Sequence, residues 1–208
     1  MRTIKDYYDI VILPPSSIKE YCVGLSEKIN KHFDSTLVLG KELNLPHITL
    51  LHIAVTPKNL EVLEKRLFFV AKKAKPFQVA LKNLLTYPKF GALALDALPK
   101  ENFVRLHKDT ISATKDVIDK SFDYHAAWDS ETLPNKMRKY IDEQGTPFIE
   151  EYFIPHITLS LLTDKRETLK AARTVIIKHQ QFLAEKIAVC KLAEQHTCQQ
   201  AIFSIPIK

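Results

Sequence analysis

A chain of 208 residues and 23.9 kDa, 46% apolar and 26% charged, is long enough to bury a sizeable core and is too apolar to be a disordered segment. Its four glycines argue against a glycine-rich phosphate loop, and no Walker or dinucleotide fingerprint occurs. The formal charge of +6 favours anionic partners, but it is spread thinly, without the dense basic patch or aromatic ribonucleoprotein motif of a general RNA-binding protein.

In chain order, Tyr7 to Leu13 is β-branched and aromatic, ends at Pro14-Pro15, and reads as a first strand. The stretch up to those prolines is neither a signal peptide nor a membrane span. Ser16-Ser17 caps a helix over Ile18 to Phe33, in which Tyr21, Leu25, Ile29 and Phe33 recur at helical spacing. Leu43 to Val55 is an apolar run read as a buried strand. A helix follows Thr56-Pro57, with Leu60, Leu63, Leu67 and Val70 on one face.

Phe77 to Leu85 and Phe90 to Ala97 are expected as strands joined through Tyr87-Pro88, and Asn102 to Phe122 as a third helix. Residues 123–151 are mixed, interrupted by Pro134, Gly145 and Pro147. Tyr152 to Leu162 is expected as a strand, Lys165 to Ala184 as a fourth helix, and Lys186 to Leu192 with Ala201 to Ile207 as a closing hairpin. Strands interleaved with helices, without glycine turns, predict an α+β protein spanning 1–208 as a single domain. Cys22, Cys190 and Cys198 are too few for a disulfide framework, although Cys190 and Cys198 are spaced to pair across that hairpin. A reduced cytoplasmic setting is the expectation.

The informative feature is a repeat. Pro46-His47-Ile48-Thr49-Leu50 recurs as Pro155-His156-Ile157-Thr158-Leu159, each copy with an apolar approach and a helix after it. On a strand, alternate side chains face opposite ways, so His47 and Thr49 share one face and Ile48 and Leu50 the other; the same holds for the second copy. Two such strands around a pseudo-dyad converge two imidazoles and two hydroxyls on one cleft. A neutral histidine can accept a proton while a charged one donates, and the threonines can hold non-bridging phosphate oxygens. Neither histidine has a carboxylate or cysteine at ligand spacing, so no metal site is expected.

Two His-x-Thr motifs half a chain apart resemble the two-histidine (2H) phosphoesterase superfamily, best known from 2′-5′ RNA ligase-like proteins and cyclic nucleotide phosphodiesterases. The resemblance implies a bilobal fold with antiparallel-rich lobes, helices outside and a central cleft. It implies His47 and His156 as catalytic residues, Thr49 and Thr158 as phosphate ligands, no cofactor, and activity on 2′,3′-cyclic phosphates or 2′-5′ phosphodiester bonds of a nucleotide or RNA end. Many members carry a basic or aromatic residue soon after the second motif, where this chain has Ser160-Leu161-Leu162.

A nucleotide-binding module without useful turnover is the alternative, although binding alone needs no second proton-transfer group. A monomer without membrane association is expected. By strand parity His52 packs away from the cleft and Ser160 faces it. His107 and His179 on helices and His196 near a turn are expected at the surface. Trp128 or Tyr124 could stack on a base, but anchoring the 123–151 connection to the core is the favoured role; Tyr87 and Lys89 could border a cleft.

Overall fold

The aromatic and β-branched run Tyr-Tyr-Asp-Ile-Val-Ile forms β1 (Tyr7–Ile12), buried at every position, as a strand covered on both faces must be. The structure, a computed structural model, describes residues 6–192 and 196–208. Residues 1–5, part of the stretch read as neither leader nor span, lie outside the described residues. After β1 come α1 (Ser16–Asn30), β2 (Ser35–Val38), β3 (Ile48–Ala54), α2 (Leu60–Lys73), β4 (Phe77–Leu81), β5 (Leu84–Tyr87), β6 (Ala92–Asp96) and α3 (Lys100–Thr114). The chain continues through α4 (Tyr124–Ala127), α5 (Asn135–Gln144), β7 (His156–Leu162), α6 (Thr168–Ala172), β8 (Gln180–Ala184), β9 (Lys186–Leu192) and β10 (Cys198–Pro206).

Two four-stranded antiparallel sheets carry one copy of the repeat each. The first runs β10-β9-β1-β3 and the second β2-β7-β6-β5, with β4-β8 as a separate pair. Helices α2 and α3 pack on the first sheet, α1 and α6 on the second. The main core joins Ile10, Ile48 and Leu51 of one sheet to Leu93, Ile157 and Leu159 of the other. Among the described residues no helix is long and apolar enough to cross a membrane.

Several expected elements change. The third helix stops at Thr114 rather than Phe122, because the chain turns there to place the Asp119 N–H on the Ala54 carbonyl. The expected helix over Lys165 to Ala184 is instead one short 3-10 turn, the five-residue α6 and the strand β8. Val175-Ile176-Ile177 disfavours continuing a helix, and Phe182 inward beside Leu183 outward pairs as a strand with β4. The residues before each motif proline are not strand: 43–45 are bend and loop, Tyr152 ends a 3-10 turn (Glu150–Tyr152) and 153–154 are loop, since Pro46 and Pro155 have no N–H to give a ladder.

Within 123–151 lies α5, with Met137, Tyr140 and Ile141 buried at helical spacing. It ends at Gly145 with φ of 73°, where a Cβ would sit 2.6 Å from the Tyr124 ring.

A bulge in each motif strand decides the site. Along β1 and β3 the pairs run Val11–Thr49, Ile10–Leu51 and Asp9–His52, skipping Leu50. Along β6 and β7 they run Ala94–Thr158, Leu93–Ser160 and Ala92–Leu161, skipping Leu159. The extra residue is the leucine of the pentapeptide both times, and beyond it the side-chain parity reverses.

Candidate active site

The parity reversal corrects two expectations. His52 lies on the same face as Thr49 and lines the cleft, while Ser160 points inward, fully buried, with its hydroxyl 2.9 Å from that of Ser35. The cleft has a volume of about 310 Å³, and His47, Thr49, His156 and Thr158 all line it. The repeat therefore brings its four polar side chains to one cavity.

Both histidines are held in the same way. His47 Nδ1 lies 2.6 Å from the Leu45 carbonyl and His156 Nδ1 lies 2.6 Å from the Ile154 carbonyl. A carbonyl only accepts, so each Nδ1 carries a hydrogen and donates it. His156 Nε2 is left to exchange a proton in the cleft, whereas His47 Nε2 also faces the Asp9 carboxylate. The prolines contribute by keeping the two preceding residues out of the ladder, which leaves those carbonyls available. The Leu45 N–H in turn donates to the Cys198 carbonyl at 2.8 Å, beside the Cys190–Cys198 disulfide.

Behind the first histidine the strands bury a carboxylate. Asp9 has no exposed surface; its Oδ2 accepts from the Thr49 hydroxyl at 2.8 Å and lies 3.3 Å from His47 Nε2 and 3.6 Å from His52 Nε2. Burial opposes charge on His47, yet the Asp9 hydrogen bond and negative charge, with the Leu45 carbonyl, outweigh it and raise its pKa. Burial lowers the His52 pKa, with Asp9 opposing and His47 assisting.

His156 has no such partner. Burial lowers its pKa; the Ile154 carbonyl opposes this, while the His47 and His52 charges push it further down. The Thr158 hydroxyl has no hydrogen-bond partner among the described residues, unlike that of Thr49. In the register, the positions matching Asp9 and His52 are Ala92 and Leu161.

Other aromatic groups complete the walls. His107 is buried rather than superficial, stacked on Phe153 at 3.9 Å with Nδ1 against the Leu50 carbonyl, and burial lowers its pKa to about 4. His196 is half-buried and stacked on Trp128 at 4.1 Å, its pKa also lowered by burial to about 4. His179 is exposed as expected but sits in a loop before β8, not on a helix. Trp128 lines the cleft and anchors its connection, donating from Nε1 to the Gly145 carbonyl at 3.0 Å. Tyr124 is purely an anchor, its hydroxyl accepting from the Ala54 N–H at 3.1 Å. Tyr87 lies 6.0 Å from the His156 ring and borders the cleft, whereas Lys89 does not.

Asp9, His52 and His196 escape sequence reasoning. Asp9 alone carries a signal, being a carboxylate within an otherwise apolar strand, where burial without a partner is costly.

An antiparallel two-sheet α+β frame with paired His-x-Thr motifs facing one cavity defines the class of two-histidine phosphoesterases. A sequence profile of the 2′-5′ RNA ligase superfamily matches residues 27–194, and the chain belongs to that superfamily. No curated protein sequence matches it significantly. Among solved structures, TT0787 of Thermus thermophilus aligns with a TM-score of 0.62 at 16% identity, covering 97% of both chains. Apo LigT from E. coli aligns at 0.57 with 17% identity, and its complex with 3′-AMP at 0.59 with 16%, each covering 98% of both chains. At such identity these likenesses establish the shared fold.

Proposed function

We propose that the chain is a phosphoesterase that opens 2′,3′-cyclic phosphates or 2′-5′ phosphodiester linkages of nucleotides or RNA ends, with His156 as general base and His47 as general acid. The observation that carries the reading is the convergence of two Nε2 atoms, each with its Nδ1 tied to a carbonyl two residues back, on one cavity. The assignment of roles rests on Asp9. A buried carboxylate 3.3 Å from His47 favours its imidazolium, while His156, without a carboxylate, favours the neutral ring.

For a 2′,3′-cyclic phosphate, His156 Nε2 removes a proton from water and the oxygen attacks phosphorus. The bond from phosphorus to one ribose oxygen breaks, and His47 Nε2–H turns from Asp9 to protonate that oxygen. The product is a phosphomonoester, and exchange with solvent restores both rings. Thr158 donates to a non-bridging oxygen. Thr49 can do so only by releasing Asp9, so its first duty is to hold that carboxylate. The nucleoside part of the 3′-AMP bound by LigT is in keeping with a nucleoside group in the substrate.

Two imidazoles supply both proton transfers, so turnover is expected to persist in the presence of a chelator. Either His→Ala substitution should lower kcat on a nucleoside 2′,3′-cyclic phosphate by about 10²–10⁴-fold. With a p-nitrophenyl ester, whose leaving group needs no proton, His47→Ala should recover most of its activity and His156→Ala little. Full activity in both variants on the cyclic substrate would defeat the proposal, and recovery in His156→Ala alone would reverse the two roles.

A further inference from the structure

The cleft is unusual in what its walls lack. Among the described residues that line it there is no lysine, arginine, aspartate or glutamate, although the chain as a whole carries 30 lysines and arginines. Its rim is apolar instead: Phe90, Phe148 and Ile154 are 53%, 37% and 36% exposed there, and Leu161 stands beside Thr158.

The charge balance inside is correspondingly small. The His47 imidazolium is matched by Asp9, and His156 is held towards neutrality. A phosphate bound between them meets hydroxyl and imidazole hydrogens but, among the described residues that line the cleft, no lysine or arginine. One negative charge, spread over two non-bridging oxygens, can be satisfied by hydrogen bonds; a second would be desolvated against apolar walls with Asp9 behind them.

We propose that this cleft is selective for a phosphodiester bearing a single negative charge beside an apolar or aromatic group, and that it rejects dianionic phosphomonoesters and polyanionic chains. The inference rests on the reading of this cavity as the phosphate site. It narrows the substrate to a mononucleoside cyclic phosphate or a dinucleoside monophosphate. It also gives turnover a direction, since opening the cyclic diester creates a monoester of roughly −1.5 to −2 charge, which the same walls expel. The basic exterior steers anions towards the molecule in general, and the cleft, without lysine or arginine among its described lining residues, chooses among them.

The test uses Trp128, the sole tryptophan, which lines the cleft. Its fluorescence in the His156→Ala protein reports binding of adenosine 2′,3′-cyclic phosphate, of adenosine 2′-phosphate, and of the cyclic compound with an added 5′-phosphate. Turnover of the two cyclic compounds is followed in wild type. The monoester and the 5′-phosphorylated compound should each bind at least about tenfold more weakly than the simple cyclic phosphate at pH 8. In Phe148→Arg, a change at the partly exposed rim, that gap should shrink severalfold.

Equal or tighter binding of the extra-charged ligands overturns the inference, as does an unchanged gap in Phe148→Arg or the absence of any fluorescence response. Selective binding without turnover would defeat the proposed activity and leave the charge selectivity standing. Turnover of both cyclic compounds at equal kcat/KM would do the reverse.

Discussion

The two halves of the cleft carry the same five residues and are built with the same bulge, yet they are electrostatically unlike. Around His47 the strands supply Asp9, Thr49 and His52 as a closed polar cluster with a buried carboxylate at its centre. Around His156 the matching positions are Ala92 and Leu161, and Thr158 has its hydroxyl to spare. What the repeat shares is geometry, namely the strand, the proline, the carbonyl that fixes Nδ1 and the leucine bulge. What it does not share is charge. An acid–base pair benefits from that inequality, because two histidines of equal proton affinity would share a single proton either way round, whereas unequal ones favour one arrangement.

The comparison can be broken most severely by making the halves alike. Ala92→Asp would place a carboxylate where Asp9 stands in the other half, holding His156 protonated as well and leaving no base at neutral pH. We expect kcat/KM on a cyclic phosphate at pH 7 to fall by about 10²-fold or more, partly recovering at alkaline pH as the proton is shed. A pH–rate profile shifted bodily upward is the signature; an unchanged profile would show that the register equivalence has no electrostatic meaning.

Removing the inequality from the other side has a smaller effect. In wild type the profile should be a bell: its acidic limb lies below the ordinary histidine value of about 6.5, where His156 is titrated, and its alkaline limb above it, where His47 loses its proton. Asp9→Asn should move the alkaline limb down and lower activity at pH 8 by about tenfold, while leaving the acidic limb in place. Stability follows the same sign. A raised His47 pKa contributes stability that is complete below about 6.5 and is lost as pH rises through the folded value. The melting temperatures of wild type and variant should therefore lie furthest apart on the acidic side, and thermal denaturation across pH would show it.

The mildest test separates the two threonines. Thr158→Val removes a donor available to phosphate and should raise KM and lower kcat, together costing about tenfold in kcat/KM. Thr49→Val removes a donor to Asp9, so it should cost about 1 kcal/mol of stability and shift the alkaline limb, with less direct effect on KM. Identical effects of both substitutions in steady-state kinetics and denaturant unfolding would erase the distinction between the halves.

Much of this is legible in the sequence where the pattern is local and repeated. Strand β1, helices α1 and α2 and the closing hairpin follow from apolar periodicity and from Pro14-Pro15 and Pro57. The pentapeptide puts His47, Thr49, His156 and Thr158 on one cavity. The failures share a cause. β8 reads as helix because it owes its state to pairing with β4, and α5 is hidden among breakers because only its burial against Tyr124 and its neighbours makes it a helix. His52 and Ser160 fall on the wrong faces by simple alternation because a bulge is a property of two paired strands and leaves no mark on one of them.

The sequence by itself determined which polar groups share the cleft: two histidines and two threonines with the same spacing and the same flanking proline, which alternation along a strand turns towards one side. Only the tertiary structure decided how the two histidines differ. A histidine's proton affinity is set by what is buried beside it, and Asp9, from a strand 38 residues before His47, reaches it only once β1 and β3 are paired with the leucine bulge between them.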